Sequence, residues 1–197
     1  MNVIEKNTLS RPTADQFDQE LLDLYDQYAH GIIDRRGFLE KASKFAVGGL
    51  TATGLLEILS PNYALANQVD PKDPSIRGET ITYDSPKGHG SIKGYLVKPA
   101  NASGKLGAVV VVHENRGLNP YVADVARRVA KAGFIALAPD GLTPVGGYPG
   151  TDEEGKKLQR TLDKGKLLQD FVAAYGHLRK QADVSGKVGI VGFCYGG

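Results

Sequence analysis

Apolar and polar residues alternate in two different ways along this chain, and the change divides it into a leader and a main region. From Ala14 to His30 apolar residues recur every three or four positions, which predicts an amphipathic helix that ends at Gly31. From Glu79 onwards, alternating and continuous apolar runs take over. We therefore expect a helical leader over residues 1–66, a proline-rich linker over 67–78 and a folded domain over 79–197.

The main region has the pattern of an α/β domain. Two alternating segments flank a glycine-rich turn and predict an antiparallel hairpin, and three continuous apolar runs predict buried strands. Helices are predicted between these runs, one with Asn119 as N-cap and Pro120 at its first position. Strand and helix in alternation predict a doubly wound α/β sheet. The predicted strands are Glu79–Tyr83, Ser91–Val97, Gly107–Val112, Phe134–Ala138 and Lys187–Val191.

The leader contains paired arginines, Arg35 and Arg36, followed by Phe38 and Leu39. A short apolar run and the small-residue site Ala64-Leu65-Ala66 come next, in the order of a twin-arginine export signal. This pattern predicts recognition by export machinery and a periplasmic or exported protein. The alternative is a cytoplasmic protein in which the arginines are solvated charges on a second amphipathic helix. The apolar run is too short for a stable membrane span.

Composition narrows the classes of function. The 197 residues include 24 Lys and Arg against 22 Asp and Glu, and the charges are dispersed, so nucleic acid is not an expected partner. The single cysteine excludes an internal disulfide and a cysteine-cluster metal site. The segment Gly150-x-x-x-x-Gly155-Lys156-Lys157 comes close to a phosphate-binding loop. It lacks the Ser or Thr and the preceding strand, so we interpret it as a solvated helix start.

The last predicted strand runs directly into Gly192-Phe193-Cys194-Tyr195-Gly196. This Gly-x-Cys-x-Gly spacing is typical of a nucleophile elbow, where flanking glycines leave room for a sharp turn that exposes the nucleophile. The backbone N–H of Tyr195 would then face a developing oxyanion. The alternative is that Cys194 is a small buried apolar residue, as many lone cysteines are.

A second polar motif, His113-Glu114-Asn115-Arg116-Gly117, follows the strand Gly107–Val112. In α/β-hydrolases that have a nucleophile elbow, the loop at this place donates the other backbone N–H of the oxyanion hole. Glu114 could act as proton acceptor for the thiol. The alternative interpretation is ordinary loop polarity with an ion pair to Arg116, and the spacing does not decide between the two.

Together these motifs resemble the dienelactone hydrolase (carboxymethylenebutenolidase) family of α/β-hydrolases, from about Glu79 to the last residue. The resemblance implies that Cys194 is the acyl-accepting nucleophile, that Glu114 activates it, and that the backbone N–H groups of Asn115 and Tyr195 form the oxyanion hole. It also implies a small-molecule lactone or ester substrate and no cofactor or metal. The family grips a substrate carboxylate with arginines, but this sequence does not assign that task among Arg116, Arg127, Arg128 and Arg160.

The sequence departs from the family in the order of its histidines. In α/β-hydrolases the acid and the histidine of the triad follow the nucleophile, whereas His30, His89, His113 and His177 all precede Cys194. We therefore expect only the N-terminal half of the hydrolase sheet, with an apolar edge strand, in a truncated and inactive chain. A non-catalytic remnant or interaction module is the alternative, and a thiol redox protein is a third.

Overall fold

The computed structural model describes residues 12–60 and 67–197. The chain divides into two compact units between residues 62 and 63, and each unit is described by itself. In the described part of the first unit the helices are α1 (Gln19–His30), α2 (Arg35–Ala42) and α3 (Ala52–Leu59). They share a small apolar core, whose buried residues are Leu21, Leu24, Phe38, Ala42, Leu55 and Leu56.

The ends of α1 follow from its capping residues. It begins at Gln19 rather than Ala14, because the Asp18 side chain accepts the backbone N–H of Glu20 and caps the helix there. It ends at the predicted Gly31, which has a φ of 71° and takes the left-handed conformation that glycine adopts without strain.

The paired arginines occupy the first two positions of α2, and both are exposed. Phe38, three residues after Arg35, is fully buried in the core of this unit. Among the described residues no helix is long and apolar enough to cross a membrane. The expected cleavage site Ala64-Leu65-Ala66 lies outside the described residues, so export stays a prediction.

The second unit is built on a mixed five-stranded sheet, and the predicted α/β fold is confirmed. The strands lie in the order β1-β2-β4-β3-β5; β1, β2 and β4 pair antiparallel, whereas β3 is parallel to both β4 and β5. Their bounds are Ile76–Ser85, Gly90–Pro99, Leu106–Val112, Ile135–Pro139 and Val184–Gly192 for β1 to β5. The helices of this unit lie between its strands in the chain. The helix after β3 is α4 (Pro120–Lys131), and the two after β4 are α5 (Asp152–Gln159) and α6 (Lys164–Arg179).

Both faces of strand β3, which lies between β4 and β5, are covered. Val110 and Val112 belong to an apolar cluster with Leu167 and Phe171 of α6, and Val111 belongs to another with residues of α4. Because neighbouring strand residues point to opposite faces, α4 and α6 lie on opposite sides of the sheet. Burial on both faces explains why this strand is apolar without interruption.

The expected apolar edge strand is present. Within the described residues β5 pairs only with β3, and Ile190 and Val191 are 61% and 36% exposed. As neighbours in a strand they point to opposite faces, so the apolar surface of β5 is open on both sides of the sheet.

The segment predicted as a linker is attached to the domain. The Asp124 carboxylate of α4 accepts the backbone N–H groups of Gln68 and Val69, and Val69 is buried. Arg127 donates from Nε to the Val69 carbonyl oxygen at 2.7 Å. β1 then begins at Ile76, three residues before the predicted Glu79. These contacts join residues distant in sequence, so local composition does not predict them.

Candidate active site

The turn after β5 has the geometry expected from its glycine spacing. Cys194 is exposed and has a φ of 52°, and it opens a single 3-10 turn over Cys194–Gly196. A non-glycine residue with positive φ is uncommon, and such strain clusters at functional sites. A Cβ at Gly192 would lie 1.7 Å from the Gly196 carbonyl oxygen, and one at Gly196 would lie 2.6 Å from Val112 Cγ1. Neither glycine can therefore take a side chain in this turn.

The register of the sheet brings the two motifs to the same edge. Val112 of β3 pairs with Gly192 of β5, and the strands are parallel. Glu114 and Cys194 are therefore each two residues beyond one paired position, at the carboxyl ends of neighbouring strands. Asn115 and Tyr195 follow them in their loops. Ligands of doubly wound sheets bind at such edges.

The guanidinium group of Arg116 lies near two carboxylates, those of Glu114 and Asp152. Arg116 Nη1 lies 3.9 Å from Glu114 Oε2 and 3.0 Å from Asp152 Oδ2. Asp152 also accepts the Tyr148 hydroxyl at 3.1 Å. Burial, reinforced by the charge of Asp152, raises the pKa of Tyr148, so this hydroxyl stays protonated and donates. The ion pair considered for Glu114 is thus present but long, and Arg116 is held more closely by Asp152.

Helix α5 packs on this loop through Gly155. A Cβ at Gly155 would lie 2.1 Å from the Arg116 carbonyl oxygen, so only glycine allows this approach. The Thr151 side chain caps the helix by accepting the Glu154 N–H. Packing against the loop that carries Glu114 therefore explains why residue 155 is glycine, and no phosphate-binding role is needed to explain it.

His113 is fully buried and joins the two loops that follow β3 and β4. Its Nε2 accepts the backbone N–H of Gly141 at 3.0 Å, and its Nδ1 lies 2.6 Å from the Glu114 carbonyl oxygen. Because Nε2 accepts a hydrogen bond, it carries no proton. The neutral ring therefore carries its proton on Nδ1, which donates a hydrogen bond to the Glu114 carbonyl oxygen. Burial lowers the pKa of His113, against opposing effects from the Glu114 carbonyl and Asp140, and this keeps the ring neutral.

The neutral state of His113 predicts a pH dependence of stability. The unfolded chain binds a proton on this residue near the ordinary histidine pKa of about 6.5, whereas the folded chain does so only at lower pH. The free energy of unfolding should therefore be constant above pH 7 and fall below about 6.5, by at most about 1.4 kcal/mol per pH unit from His113. Urea unfolding between pH 5.5 and 7.5 measures this slope.

The control for that slope is His113→Gln, which keeps a donor and an acceptor but does not titrate. Its slope should be shallower than that of the unaltered chain. His177, whose pKa is also lowered by burial and next by Lys180, is present in both proteins and leaves a residual slope. Equal slopes in the two proteins would contradict the assignment.

Several polar residues that sequence reasoning missed organise the surroundings. Asp140 accepts the backbone N–H groups of Leu142 and Tyr148 and so folds the glycine-rich loop 141–150. Buried Asp170 of α6 accepts from the backbone N–H of His89 and lies 2.6 Å from His89 Nδ1, which ties the β1–β2 turn to α6. Their common signal is an acidic residue in an otherwise apolar segment.

Arg127, one of the candidate arginines, and the four histidines have other partners. Arg127 is buried against Asp124 and Val69, so it is a structural residue of this unit.

The histidines have these partners: His30 pairs with Asp26, His89 with Asp170 and His177 with Gln181, while His113 bridges two loops. Within the described residues, each of the four histidines thus has a polar partner other than Cys194. No group of three or more His, Cys, Asp or Glu side chains in this part of the chain is placed to hold a metal ion.

Comparison with known sequences gives two family matches. The model of the dienelactone hydrolase family matches residues 92–197, and a model described as YqhI-like matches residues 9–47. A protein of Escherichia coli K12 named as a hydrolase fragment, YghX, is 68% identical over 114 residues, which are 58% of this chain and 97% of the relative.

Longer relatives match over part of their length. A carboxymethylenebutenolidase of Pseudomonas sp. P51 is 29% identical over 128 residues, covering 60% of this chain and 52% of the relative. The solved structure called m3DLH is 28% identical with a TM-score of 0.52, over 62% of this chain and 51% of that one. The chain thus spans about half the length of these relatives.

Proposed function

This chain belongs to the dienelactone hydrolase family, and on that premise we propose that it attacks lactone and carboxylic ester bonds with Cys194 as the nucleophile. The observation that carries the proposal is the positive φ of Cys194 on a turn that admits only glycine at Gly192 and Gly196. Such a turn presents the sulfur above the sheet, with the Glu114 loop beside it.

The proposed first step forms a thioester. The thiol proton passes to the Glu114 carboxylate while Sγ bonds to the substrate carbonyl carbon. The former carbonyl oxygen becomes an oxyanion, and it accepts hydrogen bonds from the backbone N–H groups of Asn115 and Tyr195. The carbon–oxygen bond of the ester or lactone then breaks, and the departing oxygen takes a proton from Glu114. Water must cleave the thioester, and because the histidines have other partners, we propose that this 197-residue chain acylates but barely turns over.

The test is single-turnover acylation by p-nitrophenyl acetate. Because the chain has one cysteine, the acetyl group on Cys194 is identified by mass spectrometry without ambiguity. We expect release of one equivalent of nitrophenolate at about 10² times the rate of free cysteine, the size of an oxyanion-hole contribution. Cys194→Ser should abolish the burst. A rate equal to that of free cysteine would instead favour a non-catalytic interaction module.

Glu114 is tested by the pH dependence of the same burst. Glu114→Gln removes the proton acceptor, so acylation should require a higher pH, at which the thiol ionises by itself. Glu153→Gln is the matched control, since Glu153 is a carboxylate of α5 that pairs only with the exposed Lys157 at 3.4 Å among the described contacts. An unchanged profile for Glu114→Gln would remove Glu114 from the mechanism.

We propose export for the N-terminal segment, supported by the exposed Arg35 and Arg36 at the start of α2. A reporter fused after residue 66 should reach the periplasm of a bacterial host, and replacing both arginines by lysine should retain it in the cytoplasm. Retention of the unaltered fusion would show a cytoplasmic protein.

A further inference from the structure

The geometry points to a role for His113 that rests on the proposed function: His113 is a positioning residue that orients the backbone N–H of Asn115 toward the oxyanion. The carbonyl that His113 Nδ1 contacts at 2.6 Å is that of Glu114. This carbonyl and the N–H of Asn115 belong to one peptide group. A trans peptide is planar, with its C=O and N–H pointing in opposite directions, so holding the carbonyl fixes the direction of the N–H.

His113 is itself held by two further residues, Gly141 and Phe171. Gly141, which follows β4, donates its backbone N–H to Nε2, and a Cβ at Gly141 would come within 2.8 Å of that nitrogen. The ring of Phe171 in α6 meets the imidazole edge to face at 5.3 Å. The ring is fully buried, so water does not compete for either nitrogen.

The same aromatic residue also reaches the nucleophile turn. The ring of Phe171 lies 6.4 Å from that of Tyr195, the residue whose N–H is the other proposed oxyanion donor. One chain of contacts, from the Glu114 carbonyl through His113 and Phe171 to Tyr195, therefore links the two loops that must act together. His113 acts through the peptide group and does not touch the reacting atoms.

The proposed role of His113 predicts different effects on two reactions of Cys194. Acylation by p-nitrophenyl acetate passes through an oxyanion, whereas alkylation by iodoacetamide displaces iodide and forms no oxyanion. His113→Leu removes both hydrogen bonds and should lower the acylation rate about 10²-fold, the cost of losing one oxyanion donor, with the alkylation rate unchanged. His113→Gln, which keeps a donor and an acceptor, should restore most of the acylation. An equal fall in both rates, or no fall in acylation, would overturn the role.

A measurement on the unaltered chain covers the case in which His113→Leu fails to fold. Nitrogen-15 NMR at neutral pH should show His113 protonated on Nδ1 and bare on Nε2. A proton on Nε2 would rule out the bond from Gly141 and with it the proposed role. If the unaltered chain acylates no faster than free cysteine, the proposed hydrolase function fails, and the NMR result still decides whether His113 holds the Glu114 peptide.

Discussion

Gly192→Ala is expected to abolish the rate advantage of Cys194 in ester acylation, a loss of about 10²-fold. The added methyl group would lie 1.7 Å from the Gly196 carbonyl oxygen, which belongs to the backbone and cannot move aside as a flexible side chain would. The turn must open, and a displacement of about 1 Å at a reacting group costs about 10²-fold in rate. Single-turnover release of nitrophenolate measures the loss.

Gly189→Ala is the matched control. Gly189 lies in the same strand, and a Cβ there would meet nothing within 4 Å. This variant should acylate like the unaltered chain, and thermal unfolding of both variants shows whether the domain stays folded. If Gly192→Ala acylated at the unaltered rate, the strained turn would have no part in the chemistry.

The second large effect concerns stability. Asp124→Ala should lower the free energy of unfolding by about 3–5 kcal/mol, because it leaves the buried Arg127 without its carboxylate. The backbone N–H groups of Gln68 and Val69 lose their acceptor as well. Urea unfolding measures the change, and proteolysis should become faster in residues 67–75, which Asp124 attaches to α4.

Glu153→Ala is the comparison for this variant. It breaks the pair with Lys157, whose side chain is 63% exposed, and exposed pairs contribute about 0–1 kcal/mol. Equal losses for Asp124→Ala and Glu153→Ala would mean that the buried network does not hold the segment.

Periodicity predicted the elements well where they are long and bounded by capping residues. The helix after Asn119 is found at Pro120–Lys131, with the Asn119 side chain accepting the Val122 N–H. Strand ends were less predictable: β5 begins at Val184 instead of Lys187 because Ser185 and Gly186 carry no apolar signal. Strand pairing with β3 extends the strand there regardless of side-chain type.

By itself, the sequence determined the α/β class, the glycine turn around Cys194 and the family. These rest on local rules, in which apolar period selects helix or strand and a sharp turn requires glycine. Only the tertiary structure decided that the loops carrying Glu114 and Cys194 leave neighbouring strands at one edge of the sheet, that Arg127 is structural, and that His113 contacts the Glu114 carbonyl oxygen. Each of these depends on which strands pair and what is buried between them, and such contacts join residues far apart in the chain.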